Sequence, residues 1–443
     1  MIQNRDQLTV TRLHEVTLDC IEAGIEAAQP KNAVANALSL SENILEIQNR
    51  TIDLSQFTDI LILGGGKAAA QMAQALEQVL SDWISGGVVV TNDPRETMYT
   101  EVFEGSHPIP DVIARDGAEE ILSLARQADE DTLILFLLSG GGSALLPLPD
   151  GNISLSDLQL ITEELLACGA TIDEINTIRK HISRIKGGEF AVAAAPATVG
   201  GLVISDVVGN DLDVIASGPI VGDESTFQDA LSVLEAHDID APVTVKDHLT
   251  RGKRGEIDET PTTNEPVFER VSTHILADPT TAIEAAMTAA ERTDFTPLLL
   301  STRVEGEARE VGKVHAAIAN EIIHSGRPIE PPAILLSGGE TTVTIRGDGH
   351  GGPNQEFALS GLLQNDFENI VIGAVDTDGE DGATDAAGAI GDTTIIDLKS
   401  TAKKALLKND TYDYFKARQS LIHTGPTGTN VNDLRVIAIP EQQ

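Results

Sequence analysis

At 443 residues the chain exceeds what one ordinary hydrophobic core holds, so two or three domains are expected. Its net charge of −39, with the acids spread along the chain, excludes nucleic acid and anionic membrane as partners, since both require basic surface. With 41% hydrophobic but only 3% aromatic residues, the aliphatic, Gly-rich composition suits helices packed on a parallel sheet and argues against disorder.

Residues 9–50 read as helices, with Val16, Cys20 and Ile21 among the apolar positions at helical spacing. Ile60–Leu63 reads as a buried strand, Lys67–Trp83 as a helix and Gly87–Thr91 as a second strand. Asp116–Ala128 follows as a helix, Thr132–Leu138 as a strand, and Ser156–Ala167 as a helix opening on a serine cap. Gly201–Ile204 is a further strand. This alternation predicts a doubly wound α/β domain over 1–240. Residues 241–270 turn charged and Pro/Thr-rich and read as a linker. A smaller α/β domain over 271–443 is expected to contain strands at Ile334–Leu336 and Asn369–Val375 and a helix at Glu356–Leu363. An active site is expected in the cleft between the two domains.

The spread acidity fits a halophilic surface, where screening mutes self-repulsion. Cys20 and Cys168 have no partner motif and read as small buried hydrophobes. No stretch approaches the ~20 apolar residues of a membrane span, and the start lacks a signal-like apolar run, so a soluble cytoplasmic protein is expected.

Two junctions carry the chemistry. L-I-L-G-G-G-K-A-A-A at 61–70 and S-G-G-G-S-A-L at 139–145 each run from an apolar strand through three glycines into an apparent helix. Glycine lets an anion approach the main chain, and the first amides of a helix are unpaired and partly positive. Gly65 and Gly66 of the first junction, and Ser139, Gly140, Gly141, Gly142 and Ser143 of the second, are therefore candidate nucleotide-phosphate contacts. Lys67 sits where a transferring phosphate would lie. Residues 64–69 also fit G-x-G-x-x-A, a dinucleotide fingerprint, with Asp93 as a loose candidate for the ribose acid. They are not a P-loop, because Ala68 follows the lysine. A tight turn without a ligand is the competing account of the first junction alone.

N-T-I-R-K-H-I-S-R-I-K-G-G at 176–188 concentrates positive charge in an acidic chain. Its Arg179, Lys180, Arg184 and Lys186 can neutralise a phosphate or a substrate carboxylate, or form a solvated helix face. Asp206, after the Gly201–Ile204 strand, and Asp376 and Asp378, after the strand ending at Val375, can hold Mg²⁺, which prefers one or two carboxylates with phosphate oxygens and waters. Gly-rich segments at 337–342, 351–356 and 424–434 offer polar contacts, Asn354 and Glu356 among them.

Together with G-S-H-P-I-P-D at 105–111, D-T-D-G-E-D-G-A-T-D-A-A-G-A at 376–389 and T-G-P-T-G-T-N-V-N-D-L at 424–434, these motifs, in this order, resemble the class II glycerate kinase family with its C-terminal MOFRL domain. The resemblance runs essentially end to end. It implies a Rossmann-like N-terminal domain and a smaller C-terminal one, and ATP- and Mg²⁺-dependent phosphorylation of D-glycerate, usually at the 2-hydroxyl. In that frame Lys67, Asp206 and Asp378 are the expected catalytic residues and Asp206 and Asp376 the metal ligands. His107, Arg179, Lys186, Asn354 and Glu356 are the expected substrate contacts, and assembly as a homodimer is left open. The family commonly shows G-G-R-N-Q-E where this chain has G-G-P-N-Q-E, so Pro353 replaces a basic residue and another base, such as Arg346 or Arg179, must compensate. G-N-D-L likewise stands where G-D-D-P is usual. The competing functions are an NAD(P)H-dependent hydroxypyruvate reductase and a non-catalytic sugar-acid or nucleotide sensor.

Overall fold

The computed structural model describes residues 1–365 and 370–441, so Asn369, the expected start of a strand, lies outside the described residues. The chain forms two compact units, one of residues 30–276 and the other of residues 1–29 with 277–443. This differs from a linear division near residue 240, for two physical reasons. The Arg12–Ala28 helix, capped by Thr11, buries Leu18, Cys20, Ile21 and Ile25 in one core with Ile283, Leu336, Val375 and Val436. Within the stretch read as a linker, the Val243–Lys253 helix buries Val245 and Leu249 against Ile178, Phe227 and Leu234 of the larger unit.

The larger unit is built on a six-stranded sheet. Numbered along the chain, its strands are Asp59–Gly65, Gly86–Thr91, Glu101–Glu104, Thr132–Leu138, Thr198–Ile204 and Val271–Ala277, and they lie in the order 3-2-1-4-5-6. The first five pair in parallel. That is the doubly wound order, with its switch point between the first and fourth strands. Every residue of Thr132–Leu138 is buried, as expected of a parallel strand covered on both faces. Phe136 stacks on Phe190 at 4.0 Å, and the Val112–Gln127 helix packs Ala118, Ile121 and Leu122 onto the same core. Each large side chain so buried contributes about 1.5–3 kcal/mol.

Local differences from the sequence reading have local causes. After the Arg12–Ala28 and Pro30–Ala37 helices, residues 38–53 form an antiparallel meander (Leu38–Ser41, Ile44–Ile47, Arg50–Asp53) in place of helix. There Leu45 and Ile47 are buried while Glu46 between them is exposed, the two-residue period of a strand. The helix expected from Ser156 spans Leu155–Ala167 and is capped by Ser154 in a capping box with Asp157.

The smaller unit has a mixed sheet in the order Thr296–Ser301, Ala333–Gly339, Asp433–Ile439, Val371–Asp376, Gly388–Gly391, Leu421–Ile422. Only its first pair is parallel. Asp433 and Asp376 fall directly opposite one another in register. The Pro353–Gln364 helix, buried from Asn354 through Leu362, packs on this sheet through Phe357, Ala358 and Leu362.

Candidate active site

The two glycine junctions follow the first and fourth strands, so the sheet brings them side by side at its switch point. At the first junction the amides are already used. Gly66 donates to Val90 O at 3.0 Å, Lys67 to Gly140 O at 2.8 Å, Ala68 to Ser139 Oγ at 3.0 Å and Ala69 to Gly66 O at 3.1 Å. Gly65 and Gly66 are therefore not a phosphate cradle, contrary to the sequence reading. Their need for glycine is steric: a Cβ on Gly66 would lie 2.6 Å from Ser139 O, at a φ of +142° that side chains rarely adopt. Asp93 is also committed, its carboxylate accepting from Gln71 at 2.9 Å and pairing with Arg95 at 2.6 Å, which removes the ribose acid a dinucleotide site needs.

The second junction is the open one. Among the described residues neither the Gly140 nor the Gly141 amide donates to a backbone carbonyl. The helix that follows, Gly142–Leu145, is a single turn, so the loop amides and not a helix dipole face the site. Side chains converge on this turn. A Cβ on Gly140 would lie 2.2 Å from Asp206 Oδ2, and one on Gly141 would lie 2.9 Å from the His107 ring and 3.2 Å from Lys67 Cγ. Lys67 and Asp206 are half-buried. Loss of hydration, and then the charge of Lys67, hold the His107 pKa below the ordinary imidazole value, so this ring is a neutral neighbour at pH 7.

The loop is braced from behind. Ser143 Oγ lies 2.9 Å from Ser217 Oγ, which donates to Asn176 Oδ1 at 2.9 Å. Ala216, Ser217 and Gly218 hold φ of 51°, 61° and 64°, strain on the order of 1–3 kcal/mol for each non-glycine. Bonds from Gly187 N to Ser217 O at 3.0 Å and from Gly188 N to Gly218 O at 2.7 Å keep it there. Sequence reading gave Ser217 no role of its own; its signal is the A-S-G-P run at 216–219 that follows the loop carrying Asp206.

The basic segment separates into two kinds of side chain. Lys180 is ion-paired with Asp213 and Asp223, and Arg184 bonds Glu119 at 2.7 Å. Arg179 and Lys186 instead line a pocket with Ser143 and Pro147. Burial depresses the Arg179 pKa, and burial followed by the charge of Arg179 brings Lys186 down to about 7.

In the smaller unit Asn354 and Glu356 are fully buried and, apart from an Asn354 Oδ1 unpartnered among the described residues, bonded within the unit, which corrects their reading as substrate contacts. Asp381 caps the Pro353–Gln364 helix, accepting from the amides of Asn354 and Gln355, both at 2.9 Å. Pro353 takes the first helical position, where its missing N–H costs nothing. Asn354 Nδ2 bonds Asp433 at 2.6 Å, and Asp433 pairs with the buried Arg435. Glu356 pairs with Arg309 at 2.8 Å and accepts from Asn409 at 2.7 Å. Arg346, the proposed compensating base, is exposed. Loss of hydration, and then the carboxylates of Asp378, Asp433 and Asp381, hold Asp376 well above the usual carboxylate range. Asp378 accepts from Glu380 N at 2.9 Å. Sequence reading did not single out Asp381, Asp433 or Arg435 as a network.

Among the described residues no three His, Cys, Asp or Glu side chains gather as a ready-made metal cage. Asp206, its carboxylate against the Gly140 position of the loop, offers the hard oxygen donor that Mg²⁺ takes together with phosphate oxygens and water. No helix among the described residues is long and apolar enough to cross a membrane.

Residues 16–250 match the family described as Domain of unknown function (DUF4147), and residues 333–433 match the MOFRL family. A Pyrococcus horikoshii protein named Glycerate 2-kinase is 43% identical over 437 residues, covering 96% of this chain and 97% of its own. A Thermotoga maritima protein named D-glycerate 2-kinase is 39% identical over 432 residues, covering 95% and 97%. The crystal structure of a glycerate kinase from Thermotoga maritima superposes with a TM-score of 0.85 at 38% identity, covering 96% of this chain and 99% of that one.

Proposed function

Because the chain belongs to the class II glycerate kinase family, we propose that it transfers the γ-phosphoryl group of ATP to the 2-hydroxyl of D-glycerate, giving 2-phosphoglycerate and ADP. The observation that carries this reading is the convergence of Lys67 and Asp206 on the Gly140–Gly141 turn at the sheet's switch point. Phosphoryl transfer asks a protein mainly for alignment and for charge opposite the transferring group. Lys67 supplies that charge, and the Gly140 and Gly141 amides donate to phosphate oxygens. Asp206 orients the acceptor hydroxyl and receives its proton, while the hydroxyl oxygen forms its bond to phosphorus and ADP departs. Mg²⁺ offsets phosphate charge when bound, and Asp206 with the Ser139–Ser143 loop is the donor set that would hold it. A metal-ligand role for Asp376 and a catalytic role for Asp378 are separate proposals, each tested by its own asparagine substitution.

The charge of −39 fits an enzyme of a salt-rich cytoplasm whose partners are small molecules. The test is ³¹P NMR of the protein with ATP, Mg²⁺ and D-glycerate in molar KCl. A phosphomonoester matching authentic 2-phosphoglycerate is the expected product. ATP left intact across a panel of hydroxy acids would overturn the reading.

A further inference from the structure

Among the described residues four Lys or Arg side chains are buried: Lys180, Lys186, Arg309 and Arg435. Three have carboxylate partners, Lys180 with Asp223, Arg309 with Glu356 and Arg435 with Asp433. Lys186 has only the carbonyl of Leu146, to which its Nζ donates at 2.9 Å. The cation nearest it in effect, Arg179, repels it, and among the described residues Arg179 likewise forms no ion pair. In a chain with 69 acids against 30 bases, two neighbouring desolvated cations without a carboxylate are a costly arrangement. Both face the pocket behind Ser143, whose other walls include the apolar Pro110, Pro147 and Leu158.

We propose that this pocket seats the carboxylate of the acceptor acid, with Arg179 and Lys186 as its two cationic contacts. The proposal rests on the acid-kinase reading above and specifies which end of the substrate lies where. Arg offers a planar pair of donors to a carboxylate and Lys a point charge, so the ligand completes the ion pairs that the chain leaves open. The apolar walls suit a short carbon skeleton. Ser143, shared between the pocket and the glycine loop, links the acid's seat to the phosphate site.

The test is isothermal titration of the full-length protein and its Arg179→Gln and Lys186→Met variants with D-glycerate, with uncharged glycerol, and with ADP. The expected result is D-glycerate binding weakened roughly 10- to 100-fold in each variant, ADP affinity within about twofold, and no glycerol binding at all. Unchanged D-glycerate affinity, or a matching loss of ADP affinity, overturns the proposal. So does a lowered melting temperature in both variants, because cations held for a ligand do not stabilise the empty fold. Wild-type protein that binds D-glycerate through these cations yet forms no phosphoglycerate by ³¹P NMR would refute the kinase reading and leave the pocket standing. Wild-type protein that does not bind D-glycerate refutes the pocket.

Discussion

Lys186→Met should stabilise the protein at low pH and not at high pH. The Lys186 side chain is 4% exposed, and its pKa is brought from a usual 10.5 to about 7, first by burial and then by Arg179. Below pH 7 both the folded and unfolded forms carry this proton. Between pH 7 and 10.5 only the unfolded form does, so the group's contribution to stability rises with pH across that window. At about 1.4 kcal/mol per tenfold change, the buried charge costs about 5 kcal/mol at pH 6 and about 2 kcal/mol at pH 9. Methionine removes that cost but leaves Leu146 O without its donor, at about 1–3 kcal/mol. The variant should therefore exceed wild type by about 2–4 kcal/mol at pH 6, several degrees in melting temperature, and match it near pH 9. Thermal unfolding of both proteins from pH 6 to 9 at constant salt measures the difference, in which all other titrating groups cancel. A difference that does not change with pH, or a variant less stable than wild type at pH 6, would refute the reasoning.

Four further outcomes are expected. Lys67→Ala should lower kcat by about 10²–10³-fold with an unchanged melting temperature, as for loss of a charge aimed at the transition state; near-normal turnover removes its assigned role. Gly140→Ala places a Cβ 2.2 Å from Asp206 Oδ2, the movable end of a side chain, so it should keep the fold and lose about 10²-fold in turnover. Gly66→Ala meets the Ser139 backbone and a φ of +142°, so its melting temperature should fall sharply instead. Asp381 is held up to about 7 by burial against a usual 3.8, so it stays protonated in the fold after the unfolded chain has ionised, and its contribution to stability is lost as pH rises from about 4 to 7. Asp381→Asn should cost about 1–2 kcal/mol near pH 4 through the weakened helix cap; wild type then loses about 3 kcal/mol by pH 7, so urea unfolding should find the order reversed there, with the variant the more stable.

Legibility in the sequence followed the range of the interactions involved. Thr132–Leu138 was readable to the residue because a strand buried on both faces is a continuous aliphatic run. The 38–53 meander was not, since its four-residue strands are too short for their period to stand out beside a helical stretch. The division into units escaped because the Arg12–Ala28 helix finds its core partners, Val375 and Val436 among them, more than 300 residues away, and no local signal reports that.

For the site, glycine is the instructive case. The first glycine triplet looked like an anion cradle, yet its amides are spent and its glycines serve the close approach of two strands; in the second, the Gly140 and Gly141 amides donate to no backbone carbonyl among the described residues. Local composition is the same in both, and what separates them is the strand order that lays Lys67 N against Gly140 O. Polar residues pose the same difficulty. Asn354 and Glu356 at a helix start resemble ligand contacts until the Asn354 nitrogen atoms are found bonded to Asp381 and Asp433 and the Glu356 carboxylate to Arg309 and Asn409. Arg179 and Lys186 sit in a basic run beside Lys180 and Arg184, and only the bookkeeping of partners tells the pair without carboxylates from the pair with them. A functional charge in an acidic protein is therefore best recognised by the counterion it lacks. That criterion needs three dimensions, because any of 69 acids was an available partner.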